Sequence, residues 1–198
     1  MTTIEIIGAL ISLLYLRLEY KANIWLWPVG VITPLIYIYI FFVSKFYAIM
    51  GINVYYLFAC IYGWYCWKKH NPGESGFQIV RLPRFSLFPL FPLHLVWKLF
   101  AIFAALFALI AWILLCFTDS PVPYGDAFTT ALSIVAMWML AHRFAEQWLV
   151  WLVVNTVSAG LYCWMNLYPT SILFMIYAIV SIFGFRKWKK MADREVSC

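Results

Sequence analysis

Long apolar runs separated by short polar joints set the layout of this chain. Near-continuous hydrophobic stretches cover residues 4 to 20, 22 to 43, 46 to 67, 93 to 117, 126 to 141, 145 to 164 and 168 to 187. Most match the roughly 17–25 residues that a helix needs to cross the hydrocarbon of a bilayer. Lipid offers backbone amides no partners, so each run must be a helix or part of a closed barrel. Runs this long and unbroken lack the every-other-residue alternation of barrel strands. The pattern therefore predicts an all-α polytopic membrane protein with seven transmembrane helices. The first run is read as a mature helix and not a secretory signal, because Met1-Thr2-Thr3-Ile4-Glu5 has no positive start and no small-residue cleavage site follows. Arg17 and Glu19 are placed at its interfacial end, past the apolar stretch from Ile6 to Leu16.

Composition agrees with the pattern. The 198 residues are 66% hydrophobic and 11% charged, against about half and a quarter in soluble domains. The net charge of +6 is distributed unevenly. Arg17, Lys21, Lys68, Lys69, Arg81, Arg84, Arg143, Arg186, Lys187, Lys189, Lys190 and Arg194 fall on one side of the predicted membrane, with Lys98 close to it. Lys45, Glu5, Asp119 and Asp126 fall on the other. Basic residues collect on the cytoplasmic side, which puts the amino terminus outside and the carboxy terminus inside. The charge is thus explained by topology and by contact with anionic lipid, and no nucleic-acid partner is called for. Cys60, Cys66, Cys116, Cys163 and Cys198 show no ligand spacing and read as small apolar packers. His70, His94 and His142 are scattered, so neither a metal nor a cofactor is expected.

The chain also echoes itself. Tyr62-Gly63-Trp64-Tyr65-Cys66-Trp67-Lys68-Lys69 at the end of the third run returns as Phe183-Gly184-Phe185-Arg186-Lys187-Trp188-Lys189-Lys190 at the end of the seventh. In the second helix of each half, Trp25-Leu26-Trp27 parallels Trp148-Leu149-Val150-Trp151. The run 93 to 117 has no counterpart. Three helices per repeat would invert the second copy unless one extra span intervened, so a 3+1+3 plan with parallel repeats follows. The expected layout within one membrane domain (1–198) is a first repeat at 4–67 and a cytoplasmic loop at 68–92. A linker helix at 93–117, a second repeat at 126–187 and a cytoplasmic tail at 188–198 complete it. The loop contains Asn71-Pro72-Gly73-Glu74-Ser75-Gly76, and an amphipathic lead-in carries Pro89 and Pro92. Parallel repeats of this kind are a transporter architecture, with the solute site near the midplane between the halves.

The sharpest chemistry lies on the sixth run. Trp148, Trp151 and Asn155, at spacings of three and four residues, share one helical face, with Ser158 a turn further on. Tryptophan faces stack on a flat ring and attract a cation, worth about 0.5–2 kcal/mol per contact. An amide adds two donors and an acceptor. The same residues also serve as lipid-interface anchors and as interhelical hydrogen-bond partners in other membrane helices. Asn53, Tyr56 and Cys60 share a face of the third helix and form a second candidate set. Thr33 beside Pro34 and Ser133 on the fifth helix offer hydroxyls, either to a solute or to their own backbone.

No ionisable residue falls at the middle of any span, where coupled carriers commonly keep a buried relay. A phosphate-binding Gly-Lys-Ser/Thr loop is also missing. Downhill, facilitated diffusion is the mode left. An embedded enzyme would need a nucleophile or clustered acid–base groups at the boundary, and His142, Arg143 and Glu146 are more simply a charged turn. An enzyme and a scaffold are the remaining alternatives.

Two segments carry a family resemblance. Ala131-Leu132-Ser133-Ile134-Val135-Ala136-Met137, followed by Glu146-Gln147-Trp148-Leu149-Val150-Trp151-Leu152-Val153-Val154-Asn155, is one; Ile61-Tyr62-Gly63-Trp64-Tyr65-Cys66-Trp67 is the other. Both resemble the PnuC family of bacterial vitamin transporters, from about residue 4 to 190. The resemblance implies a SWEET-like 3+1+3 fold, a homotrimer in the inner membrane, and facilitated diffusion of nicotinamide riboside or a related vitamin. It also implies trapping of the solute through phosphorylation by a cytoplasmic kinase. Trp148, Trp151 and Asn155 match the family's solute-contacting residues. Asn53 stands where riboside carriers have a Gln, Cys60 where some have Asn, and Thr33 in place of another Asn. Since unmade buried hydrogen bonds cost about 1–3 kcal/mol each, these departures leave thiamine, also a flat cation, as the rival to nicotinamide riboside.

Overall fold

The computed structural model describes residues 3–43, 47–69, 93–118 and 121–195. The expected loop beyond Lys69, with Pro89 and Pro92, lies outside the described residues, as do His70, Lys45, Asp119 and Cys198. Helices occupy the described chain: α1 (Thr3–Tyr20), α2 (Leu26–Val43), α3 (Tyr47–Lys69), α4 (Leu93–Phe117), α5 (Pro123–Ala141), α6 (Gln147–Trp164) and α7 (Tyr168–Glu195). They gather into two compact units, α1–α3 and α4–α7. Among the described residues, Val96–Phe117, Pro123–Ala141 and Tyr168–Asp193 are long and apolar enough to cross a membrane, and Leu26–Ile36 is a shorter apolar stretch.

Helix ends depart from the apolar runs where local chemistry dictates. α5 starts at Pro123, since a first-turn proline gives up no helical hydrogen bond and its ring presets φ. α7 continues through the segment expected to be a tail: Trp188 and Ala192 are buried while Lys189 and Lys190 are exposed. Amphipathic spacing extends a helix beyond the bilayer as readily as inside it. α1 runs to Tyr20, and there Glu19 proves to be buried at 4% exposure, with Arg17 exposed. The interfacial placement of Glu19 is thus corrected. It lies one helical turn beyond the half-buried Tyr15, on the face of α1 turned into its unit.

In the first unit, α2 packs on both α1 and α3; in the second, α6 packs on both α5 and α7. The two central contacts are built alike. Trp27 of α2 is fully buried, lies directly over Gly63 of α3 and meets Trp67 edge-on at 5.4 Å between ring centroids. Trp148 of α6, 1% exposed, lies over Gly184 of α7 and meets Trp188 edge-on at 6.0 Å. A side chain at either glycine would enter the ring: a Cβ on Gly63 would fall on Trp27 Cη2, and one on Gly184 2.5 Å from Trp148 Cδ2. Glycine is needed here for close approach. The interval is 121 residues for each pair of counterparts (148 − 27, 184 − 63, 188 − 67).

The turns keep the same register. Ala22 (φ 53°) and Arg143 (φ 63°) both take the left-handed conformation at the end of the first helix of a repeat. The Ala22 N–H donates to Glu19 O at 2.9 Å and Asn23 N–H to Leu18 O at 3.0 Å. Arg143 N–H donates to Leu140 O at 2.9 Å and Phe144 N–H to Met139 O at 3.0 Å. This closure satisfies the last carbonyls of a helix and reverses the chain. It also corrects the register expected for the second helices. Trp148 corresponds to Trp27, while Trp25 is 65% exposed in the turn.

The helix without a counterpart, α4, packs on α5 alone among the described helices, with Phe103 edge-on to Phe128 at 5.5 Å. Trp97, Phe100, Leu109, Trp112 and Phe117 are exposed along it. In the second unit Ser171 Oγ of α7 donates to Ala159 O of α6 at 2.8 Å, and Leu161 of α6 closes over Gly125 of α5. These contacts fix the depth at which α6 presents its side chains.

Candidate functional site

The face predicted on α6 is present, and its members do different things. Asn155 is buried, 7% exposed, and its Nδ2 donates to Ser181 Oγ of α7 at 3.4 Å. Ser181 in turn donates its own proton to Tyr177 O at 2.8 Å, which orients the hydroxyl lone pairs toward Asn155. The amide is therefore held by one arm. Its Oδ1 and its second N–H bond no other described residue, and an amide so placed can still accept one hydrogen bond and donate another.

Trp151 lies one turn before Asn155 and keeps part of its surface exposed, yet its indole Nε1 is buried with no hydrogen-bond partner among the described residues. An unmet buried donor costs about 1–3 kcal/mol, a cost that a ligand acceptor would remove. Trp148 differs. Its ring is enclosed by Gly184 and Trp188, which leaves it no open face for a solute. Ser158, a turn beyond Asn155, is buried to the same 7%. Ser133 of α5 donates to Thr129 O at 2.7 Å, so its hydroxyl proton is spent on its own helix.

In the first unit, Cys60 is buried at 3% exposure, and Asn53, Tyr56 and Thr33 are half-buried. The Tyr56 ring tilts against Tyr55 at 5.6 Å. Cys60 Sγ lies 3.1 Å from where a Cβ on Gly30 would stand, and Tyr15 Cε2 lies 2.8 Å from it. Tyr15, Gly30 and Cys60 thus form one cluster joining α1, α2 and α3. Thr33 is on α2 beside the buried Pro34, and it is not among the atoms closing on Gly30. Trp27 is fully enclosed.

Ser181 and Tyr15 did not stand out in the sequence. A serine and a tyrosine in apolar runs are unremarked there, and the only signal for Ser181 was the register that pairs it with Cys60 (181 − 60 = 121). Among the described residues no group of three or more His, Cys, Asp or Glu comes together as a metal site would require. No disulfide joins the described cysteines, and Cys116 and Cys163 lie on exposed helix faces.

Comparison with known proteins adds an independent finding. The family model described as nicotinamide mononucleotide transporter matches residues 2–190. The nicotinamide riboside transporter PnuC of Escherichia coli is 24% identical over 98% of this chain and 88% of its own length. The nicotinamide riboside transporter PnuC of Neisseria mucosa is 26% identical over 96% of this chain and 73% of its own. The riboflavin/roseoflavin transporter RibM of Streptomyces davaonensis is 24% identical over 96% and 86%. A solved structure, that of the vitamin B3 transporter PnuC, is similar with a TM-score of 0.69 and 24% identity, covering 94% of this chain and 80% of that one. The likeness supports the fold: all-helical, with the seven helices expected.

Proposed function

This chain belongs to the nicotinamide mononucleotide transporter family, and on that premise we propose that it imports nicotinamide riboside across the bacterial inner membrane by facilitated diffusion. It is a multi-pass membrane protein of a transporter family. The finer reading is supported by the riboside transporters of Escherichia coli and Neisseria mucosa, whose similarity runs along nearly the whole chain. The observation that carries the site is Asn155, anchored by Ser181 with an acceptor and a donor to spare, one turn from an indole N–H that lacks a partner.

The chemistry suits the solute. Nicotinamide riboside is a flat pyridinium cation bearing a sugar. The exposed part of Trp151 supplies a π surface for the cation, and the Asn155 amide supplies hydrogen bonds to the carboxamide or the sugar hydroxyls. Solute flux then runs downhill, and phosphorylation by a cytoplasmic kinase removes the free riboside and prevents its return. With basic residues crowded at the ends of α3 and α7, the amino terminus is outside and the carboxy terminus cytoplasmic. The homotrimeric state is carried over from the family resemblance.

A second flat vitamin is a specific rival, since a riboflavin transporter is among the relatives and thiamine shares the cationic ring. Titration of the purified protein with nicotinamide riboside, thiamine and riboflavin, followed by quenching of tryptophan fluorescence, separates them. Saturable quenching by nicotinamide riboside, weakened in Asn155→Ala, is expected. Quenching by thiamine or riboflavin alone would reassign the solute.

A further inference from the structure

Buried serine hydroxyls in the second unit are spent on backbone carbonyls. Ser133 donates to Thr129 O at 2.7 Å, Ser181 to Tyr177 O at 2.8 Å and Ser171 to Ala159 O at 2.8 Å. The more open Thr129 and Thr156 do the same, to Gly125 O at 3.0 Å and to Leu152 O at 2.8 Å. Ser158 of α6 is the exception among the buried serines described in this unit. It is 7% exposed, and its hydroxyl bonds no described residue. Even the Val154 carbonyl, one turn back, is not taken, although that is the acceptor a helical serine ordinarily uses. The oxygen nonetheless keeps some open surface. Leaving a buried hydroxyl unmet is unfavourable, and a ligand that bonds it removes the penalty.

The backbone around Ser158 is held on both sides. Asn155, one turn before it, is tied to Ser181 at 3.4 Å, and the carbonyl of the next residue, Ala159, takes the bond from Ser171. α6 cannot rotate or slide at this depth without breaking a bond to α7. Trp151, Asn155 and Ser158 follow one another at spacings of four and three residues and so line one face. At the helical rise per residue the strip is about 10 Å long.

We propose that Ser158 is a specificity-determining residue of the solute site, its hydroxyl bonding a sugar hydroxyl of the riboside. This deepens the functional reading given above and rests on it. With the pyridinium on the Trp151 ring, Asn155 is in reach of the carboxamide or the near edge of the sugar. A pyridinium with its carboxamide is too short to span the strip, and the ribosyl group makes up the length. A serine hydroxyl donates and accepts, which suits a sugar hydroxyl that does both as well. A site built to bond a hydroxyl rejects the analogue without it, because the site's own polar group is then left buried and unmet.

Calorimetric titration of the full-length protein with nicotinamide riboside and with its 2′-, 3′- and 5′-deoxy forms tests this. The unaltered protein is compared with Ser158→Ala, Ser158→Cys and Asn155→Ala, and thermal unfolding is followed in parallel. Ser158→Ala should weaken riboside binding by about tenfold, the order of one lost hydrogen bond. Its unfolding temperature should stay level or rise slightly, since an unmet hydroxyl is removed. One deoxy form should bind the unaltered protein about tenfold more weakly than the riboside and lose nothing further in Ser158→Ala, the non-additivity of groups in contact. Ser158→Cys, similar in size and a weaker donor, should fall between, and it carries the comparison if Ser158→Ala fails to fold. Riboside binding unchanged in the Ser158 variants and weakened in Asn155→Ala would overturn this inference and leave the proposed function standing. Equal weakening of the riboside and all three deoxy forms would do the same. Failure of the unaltered protein to bind the riboside would overturn both.

Discussion

Asn155 and Trp148 illustrate how one helical face divides its labour. Asn155 is held by Ser181 and still has bonds to offer, whereas Trp148 is locked between Gly184 and Trp188. Substitution should therefore separate them. Asn155→Ala is expected to weaken solute binding by about 1–3 kcal/mol while the unfolding temperature in detergent barely moves. Trp148→Ala should act mainly on stability, costing about 3–5 kcal/mol as a large buried aromatic does, and binding should be lost only with folding. Ser181→Ala should give a milder version of the Asn155 effect, because the amide loses its anchor and keeps its position on α6. Fluorescence titration beside thermal unfolding of each variant checks all three. The α6 spacing pointed to the right helix and face, but spacing alone says which residues share a face and not which of them a neighbouring glycine encloses. Only the partner helix distinguishes a ring that is open from one that is capped.

At the level of the element, each repeat is fastened by a tryptophan on its second helix seated on a glycine of its third. Gly63→Ala and Gly184→Ala should each destabilise the protein by about 1–3 kcal/mol, the usual cost of forcing volume into a packed contact. The clash falls on the rigid indole of Trp27 or Trp148, so Gly184→Ala combined with Trp148→Phe should regain part of the loss. Thermal unfolding of the single and double variants measures the coupling. The aromatic-Gly-aromatic echo was visible in the sequence as a sign of a repeat, but that each glycine seats a tryptophan was not. The register of the second helices was not visible in the same way. Trp25, Trp27, Trp148 and Trp151 allow two alignments, and interfacial tryptophans are interchangeable by composition. The left-handed turns at Ala22 and Arg143 decide the register, and neither residue is a glycine that would have announced it. Glu19 was misplaced for a related reason: a charge near a helix end reads as interfacial, while its burial depends on the face that it occupies.

For the whole molecule, the hydrophobic pattern was enough to anticipate an all-helical membrane protein, because seven long apolar runs leave the backbone few ways to satisfy itself in lipid, whereas the family was legible only through the resemblance carried by the motifs at 131–155 and 61–67. The solute is decided by a handful of polar contacts, and those depend on how helices meet. The proposed mode of transport is downhill diffusion, because no ionisable group falls at the middle of a span, where coupled carriers commonly keep a buried relay. Uptake of labelled nicotinamide riboside into liposomes holding the purified protein is the most direct test. The expected result at zero membrane potential is filling until inside and outside concentrations are equal, indifferent to an imposed pH gradient, shifted by an imposed potential only as far as the solute's single positive charge requires, and strongly slowed in Asn155→Ala. Accumulation above the external concentration at zero potential in the absence of a kinase, or entry of thiamine or riboflavin with the riboside excluded, would contradict the account.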